Sequence, residues 1–95
     1  MYLTRYALDG NPDVLEAARR AMLAELPADL FLLHIAVRRP DGIDIYDACP
    51  DEQTALAFAS SPEFLGALDR VGLPRPRVTG LGEILDVVTA AALPS

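Results

Sequence analysis

The sequence predicts an α+β fold in which four antiparallel strands and two helices follow in the order βαββαβ. Residues 30–47 at the centre read as two apolar strands joined by the turn Pro40-Asp41-Gly42. A helical pattern stands on each side of this hairpin, and each pattern opens on a proline followed by an acid, Pro12-Asp13 and Pro50-Asp51. Strand-like segments then close both ends of the chain.

The first segment, residues 1–9, alternates: Tyr2, Thr4, Tyr6 and Leu8 face one way, Met1, Leu3, Arg5 and Ala7 the other. Asp9-Gly10 ends it. Asn11 is a good cap, Pro12 suits the first helical position and Asp13 complements the helix dipole. Val14, Ala17, Ala18, Ala21, Met22 and Leu26 give an apolar stripe, while Glu16, Arg19, Arg20 and Glu25 decorate the remainder. Glu16 and Arg20 stand at i,i+4 in the favourable order. Pro27 stops the helix.

In the hairpin, a three-residue loop with Gly42 in the left-handed position pairs Arg38 with Asp44, Ala36 with Tyr46 and His34 with Ala48 on one face. The other face then pairs Arg39 with Ile43, Val37 with Ile45 and Ile35 with Asp47. Cys49-Pro50-Asp51-Glu52 opens the second helix, with Ala55, Leu56, Phe58 and Ala59 apolar. Ser61-Pro62-Glu63 reads as a break and restart capped by Ser61, and Phe64, Leu65, Leu68 and Val71 continue the stripe to Gly72. After a stiff loop over residues 73–77, a last strand is expected over residues 81–88, then a small-residue tail at 89–95. This order is the split-βαβ, ferredoxin-like pattern, a single domain over residues 1–95 with two helices on one face of a four-stranded antiparallel sheet. The uncovered face is expected to carry Tyr2, Tyr6, Leu30, Leu32, Tyr46 and an apolar register of the last strand, either Ile84 and Val88 or Leu85 and Val87. That is too apolar for water, so a second copy over the open face is expected.

Composition narrows the function. The formal net charge is −6 and the cations are all arginine, so neither nucleic acid nor an anionic membrane surface is an expected partner. The absence of lysine removes Schiff-base, pyridoxal phosphate and P-loop chemistry. One cysteine and one histidine cannot build a Cys/His zinc site, and Cys49 has no disulfide partner in the chain. No apolar run reaches the roughly 18 residues of a membrane span, and Met1 to Tyr6 already read as strand, so a cytoplasmic address is expected. The richness in Ala, Arg and Pro is associated with high-GC bacterial genomes.

Over residues 1–90 the chain resembles the dimeric α/β barrel superfamily, and within it the antibiotic-biosynthesis-monooxygenase-like domains. The resemblance rests on the element order, on the hairpin running into Asp47-Ala48-Cys49-Pro50-Asp51-Glu52, and on Ser61-Pro62-Glu63-Phe64, which looks like a Ser-Pro-x-Phe stretch of the second helix. It implies a dimeric α/β barrel with a pocket between each sheet and its helices. It also implies a cofactor-independent oxygenase acting on an aromatic or polyketide-like small molecule, with no cofactor or metal. A non-catalytic binding or structural homodimer, and an isomerase or cyclase, are the alternatives on the same fold. The chain departs from the oxygenases in having Tyr46-Asp47-Ala48-Cys49 where they often carry tryptophan. It also lacks the asparagine of haem-degrading members, since Asn11, its one asparagine, caps a helix.

His34 is the candidate general base, because an imidazole titrates near neutrality; the plainer reading is a ring satisfied at an interface. Tyr2, Tyr6 and Tyr46 could hydrogen-bond a phenolic ligand, or fill an interface with their hydroxyls wet. Arg75 could hold a carboxylate at a pocket mouth, or be a solvated loop charge. Asp44 is expected to pair with Arg38, Asp47 to serve as a helix-start acid, and Cys49 to be a small buried residue.

Overall fold

The computed structural model describes residues 1–27 and 29–90. Strands β1 (Tyr2–Asp9), β2 (Leu33–Arg39), β3 (Gly42–Cys49) and β4 (Arg77–Glu83) form one antiparallel sheet in the order β2-β3-β1-β4. Helices α1 (Pro12–Glu25), α2 (Glu52–Ala59) and α3 (Pro62–Val71) complete the ferredoxin-like α+β architecture. The second helical stretch is thus two helices, divided at the expected break. Local chemistry sets their ends: the Asn11 side chain accepts from the amides of Asp13 and Val14, Asp51 from Thr54, and Ser61 from Phe64. Gly72 closes α3 at φ 78°.

The helices pack on the sheet face that carries Tyr6, Leu8, Ile43 and Ile45, against Leu15, Met22, Phe64, Ala67, Leu68 and Leu73. In α1 the inward stripe is Leu15, Ala18, Met22 and Leu26, whereas Val14 is 66% exposed. Ala18, Met22 and Leu26 face inward as expected, while Leu15, packed against Gly10, takes the inward place expected of Val14, and Ala17 and Ala21 are exposed. In α2, Ala55 is buried and Leu56 faces outward.

The hairpin register also differs by one residue. Pro40 and Asp41 alone make the connection; Arg39 pairs with Gly42, Arg38 with Ile43, Ala36 with Ile45 and His34 with Asp47. Gly42 lies in β3 because of space: a Cβ there would fall 2.1 Å from the Leu8 carbonyl oxygen and 2.9 Å from the Arg39 guanidinium. The expected Arg38–Asp44 pair does not form. Arg38 donates to Asp13 at 2.6 Å, while Asp44 accepts from Arg39 at 3.0 Å and Arg5 at 3.2 Å.

A one-residue slip turns every side chain over. Tyr6, expected on the uncovered face, is instead in the core, and the uncovered face of the described sheet carries Leu3, Arg5, Leu33, Ile35, Val37, Asp44 and Tyr46. Leu30 and Leu32 precede β2 rather than lying in it. Strand β4 begins at Arg77, earlier than expected, so Leu85, Val87 and Val88 follow the sheet and are exposed. Residues 91–95 of the expected tail lie outside the described residues. Among those described, no helix is long and apolar enough to cross a membrane.

Candidate functional site

The corrected register sets His34 directly opposite Asp47, and Asp47 opposite Thr4, in one row across β2, β3 and β1 on the helix-covered face. His34 Nδ1 and Asp47 Oδ1 are 2.5 Å apart, and on the other side of the ring Arg19 Nη1 lies 3.0 Å from His34 Nε2. A guanidinium can only donate, so Nε2 accepts from Arg19 and the imidazole proton lies on Nδ1, donated to Asp47. Arg19 is anchored in turn by Glu16 Oε1, at 3.0 Å from Nε and 2.5 Å from Nη2. Four side chains from α1, β2 and β3 thus form one chain: Glu16, Arg19, His34, Asp47.

The surroundings are apolar. A cavity of about 10 Å³ lies between sheet and helices; it has room for about one water. His34, Asp47 and Tyr6 line it together with Met22, Phe31 and Phe64. The Phe31 ring lies over His34 with centroids 5.3 Å apart and meets Phe58 edge-on at 5.4 Å. Phe58 continues to Phe64 at 4.6 Å, and Phe64 to Tyr6 at 5.7 Å. Phe31 comes from the α1–β2 connection, and Leu73 and Pro76 from the α3–β4 connection, so segments outside the regular elements supply part of the wall.

Burial sets the protonation of this pocket. Desolvation raises the Asp47 carboxyl above the usual carboxylate range, outweighing the lowering by His34 and Arg19. Burial, reinforced by Asp47 and Cys49, raises the Tyr6 phenol well above its ordinary value, so its hydroxyl remains a donor. Among the described residues the Tyr6 hydroxyl has no hydrogen-bond partner, nor has that of Thr4, and both residues are at most 3% exposed. Buried hydroxyls left this way are costly unless something polar reaches them. The Cys49 thiol is likewise raised, by burial first and then by Asp47 and Asp51, which makes it a poor nucleophile.

Of the candidates, His34 and Tyr6 share the cavity. Tyr46 faces the opposite side of the sheet, paired with Ile35 and Arg5. Tyr2 lies at the β1 end against Gly80, where a Cβ would fall 2.2 Å from its hydroxyl. Arg75 pairs with Asp69 at 3.2 Å on the surface, and its neighbour Pro76 lines the cavity instead. Two further side chains join the candidate site. Asp47 is no helix-start acid but the partner of His34. Arg19 belongs to the inward stripe of α1, since it follows the buried Leu15 by four residues and its side chain is only 11% exposed. The described residues contain no cluster of His, Cys, Asp and Glu suited to a metal ion.

No protein-family model and no curated protein matches the chain. Solved structures do match its architecture, among them the following two. A candidate antibiotic biosynthesis monooxygenase of Deinococcus radiodurans aligns over 97% of this chain and 100% of its own, with a TM-score of 0.61 and 14% identity. Another, from Chloroflexus aurantiacus, aligns over 92% of this chain and 96% of its own, with a TM-score of 0.63 and 16% identity. At such identities the likeness is one of backbone, and the chain shares the ferredoxin-like α+β fold of these two structures.

Proposed function

We propose that the protein binds an aromatic or polyketide-like phenol in the cavity between sheet and helices and removes a proton from it with His34, as a cofactor-independent oxygenase. The observation that carries this reading is the pair of contacts on the His34 ring: with Nδ1 held against Asp47, Nε2 is directed away from the carboxylate. Asp47 stabilises the imidazolium that forms, and the Tyr6 hydroxyl donates to an oxygen of the ligand. For a methylene activated by the phenol, the resulting carbanion reacts with dioxygen. Four electrons leave the carbon, one oxygen atom becomes its carbonyl and the other leaves as water, so no external reductant is needed.

The size of the cavity favours a second reading, a binding or structural homodimer without chemistry. Space for about one water excludes a ring until Phe31 and the loop at Leu73 and Pro76 move apart. In either reading the exposure of Ile35 and Val37 on the open sheet face beside Tyr46 supports the expected homodimer. Oxygen uptake with a panel of dihydroxynaphthalene-type phenols separates the readings. Uptake that His34→Ala abolishes supports the oxygenase. Substrate conversion without uptake moves the protein to isomerase chemistry with the same base, and uptake unchanged in His34→Ala removes His34 from the reaction.

A further inference from the structure

The contact between Arg19 and His34 presents a difficulty for any proton transfer, because the lone pair that would accept the proton is already occupied. We infer that Arg19 is the anion-holding residue of the site: a neutral phenol or enol replaces it on His34 Nε2, and its freed Nη1–H then receives the oxygen that has lost the proton. This rests on the reading of the cavity as a phenol site, and it adds the residue that stabilises the product anion and the ionisation state of the ligand.

The geometry of Arg19 suits an exchange. Its Nε and Nη2 both donate to Glu16 Oε1, so the guanidinium is anchored along one side whether or not Nη1 touches His34. Nη1 is directed at the lone pair that a ligand O–H must reach, so a ligand oxygen at Nε2 also comes within reach of Nη1. In the transfer the ligand O–H bond breaks, its electron pair stays on oxygen and the proton goes to Nε2. The imidazolium then lies between Asp47 and the new anion, and Arg19 donates a charge-assisted hydrogen bond to that anion.

Charge selects the ligand. Around His34 stand Arg19 from α1, itself held by Glu16, Asp47 from β3 and Tyr6 from β1, while α3 contributes Phe64 and Leu68 to the cavity. With both acids ionised this cluster carries one more negative than positive charge. A carboxylate or phosphate would bring a further buried negative charge, whereas a neutral phenol brings the proton that His34 takes.

The experiment is an absorbance titration of a bound nitrophenol, whose neutral and anionic forms differ in colour, with wild type, Arg19→Gln and Arg19→Lys. The expected result is that wild type lowers the ionisation pH of the bound phenol and Arg19→Gln reverses this by about tenfold or more in the ionisation constant. Arg19→Lys, which keeps the charge, should restore part of the shift. The affinity for the phenol is measured in each protein alongside, so that a change in the ionisation constant is read separately from a change in binding. A bound phenol that ionises alike in wild type and Arg19→Gln overturns the role of Arg19 and leaves the phenol site standing. Failure of wild type to bind any phenol overturns both.

Discussion

His34 Nδ1 and Asp47 Oδ1 meet at 2.5 Å across the β2–β3 pair, on a carboxyl whose side chain is 5% exposed. The pair depends on a two-residue connection at Pro40 and Asp41; one more residue in that turn would put Ala48 opposite the histidine and turn Asp47 to the other face. A carboxylate so placed is expensive to bury, and its retention next to the one histidine of the chain marks the row His34, Asp47, Thr4 as more than packing.

Asp47 should make its own mark on stability. Its folded carboxyl binds a proton more readily than in the unfolded chain, because burial raises it. The stabilisation from that proton is complete below the ordinary carboxylate range and is lost as pH rises through the folded value. Asp47→Asn cannot ionise, and its carbonyl still accepts from Nδ1–H. Relative to wild type the variant should therefore gain stability between about pH 4 and pH 7. Urea unfolding of both proteins at those two pH values measures the gain, and a constant difference contradicts the assignment. Asp47→Ala, by contrast, leaves a buried donor unpartnered and should cost about 1–3 kcal/mol.

Gly42 should tolerate no side chain. The 2.1 Å approach of a Cβ to the Leu8 carbonyl oxygen is against backbone, which cannot swing aside as a side chain can. Gly42→Ala should cost about 1–3 kcal/mol or more and loosen the β1–β3 pairing. Because Gly42 fixes the hairpin register, the variant should also weaken phenol binding at His34, which lies five residues along β2 from Arg39, the partner of Gly42. A denaturation midpoint equal to that of wild type would contradict the close approach.

The uncovered sheet face should be a contact between copies. Ile35 is 46% exposed and Val37 44%, side by side with Tyr46. Ile35→Glu places a charge there without touching the helix-covered core. Wild type at micromolar concentration should sediment at twice the 10.2 kDa of one chain and Ile35→Glu at the monomer mass, with its far-UV circular dichroism unchanged. A wild-type chain sedimenting at 10.2 kDa sinks the dimer.

The sequence by itself determined the order of elements, the caps at Asn11 and Ser61, and the left-handed Gly72. These are local matters: a cap is decided by a side chain and an amide two or three residues away. It also singled out His34, by chemistry alone. What surrounds that ring was decided by the tertiary structure. Gly42 looks like a turn residue in sequence, yet the close approach of Leu8, thirty-four positions earlier, holds it in a strand. That contact shifts the register and sets Asp47, rather than Ala48, opposite His34. Similarly, α1 turns on Leu15 rather than Val14 because of what it packs against, and only then does Arg19 face the histidine. Periodicity places residues on a face, but which face is inward is fixed by long-range packing, and the site consists of side chains whose facing was settled that way.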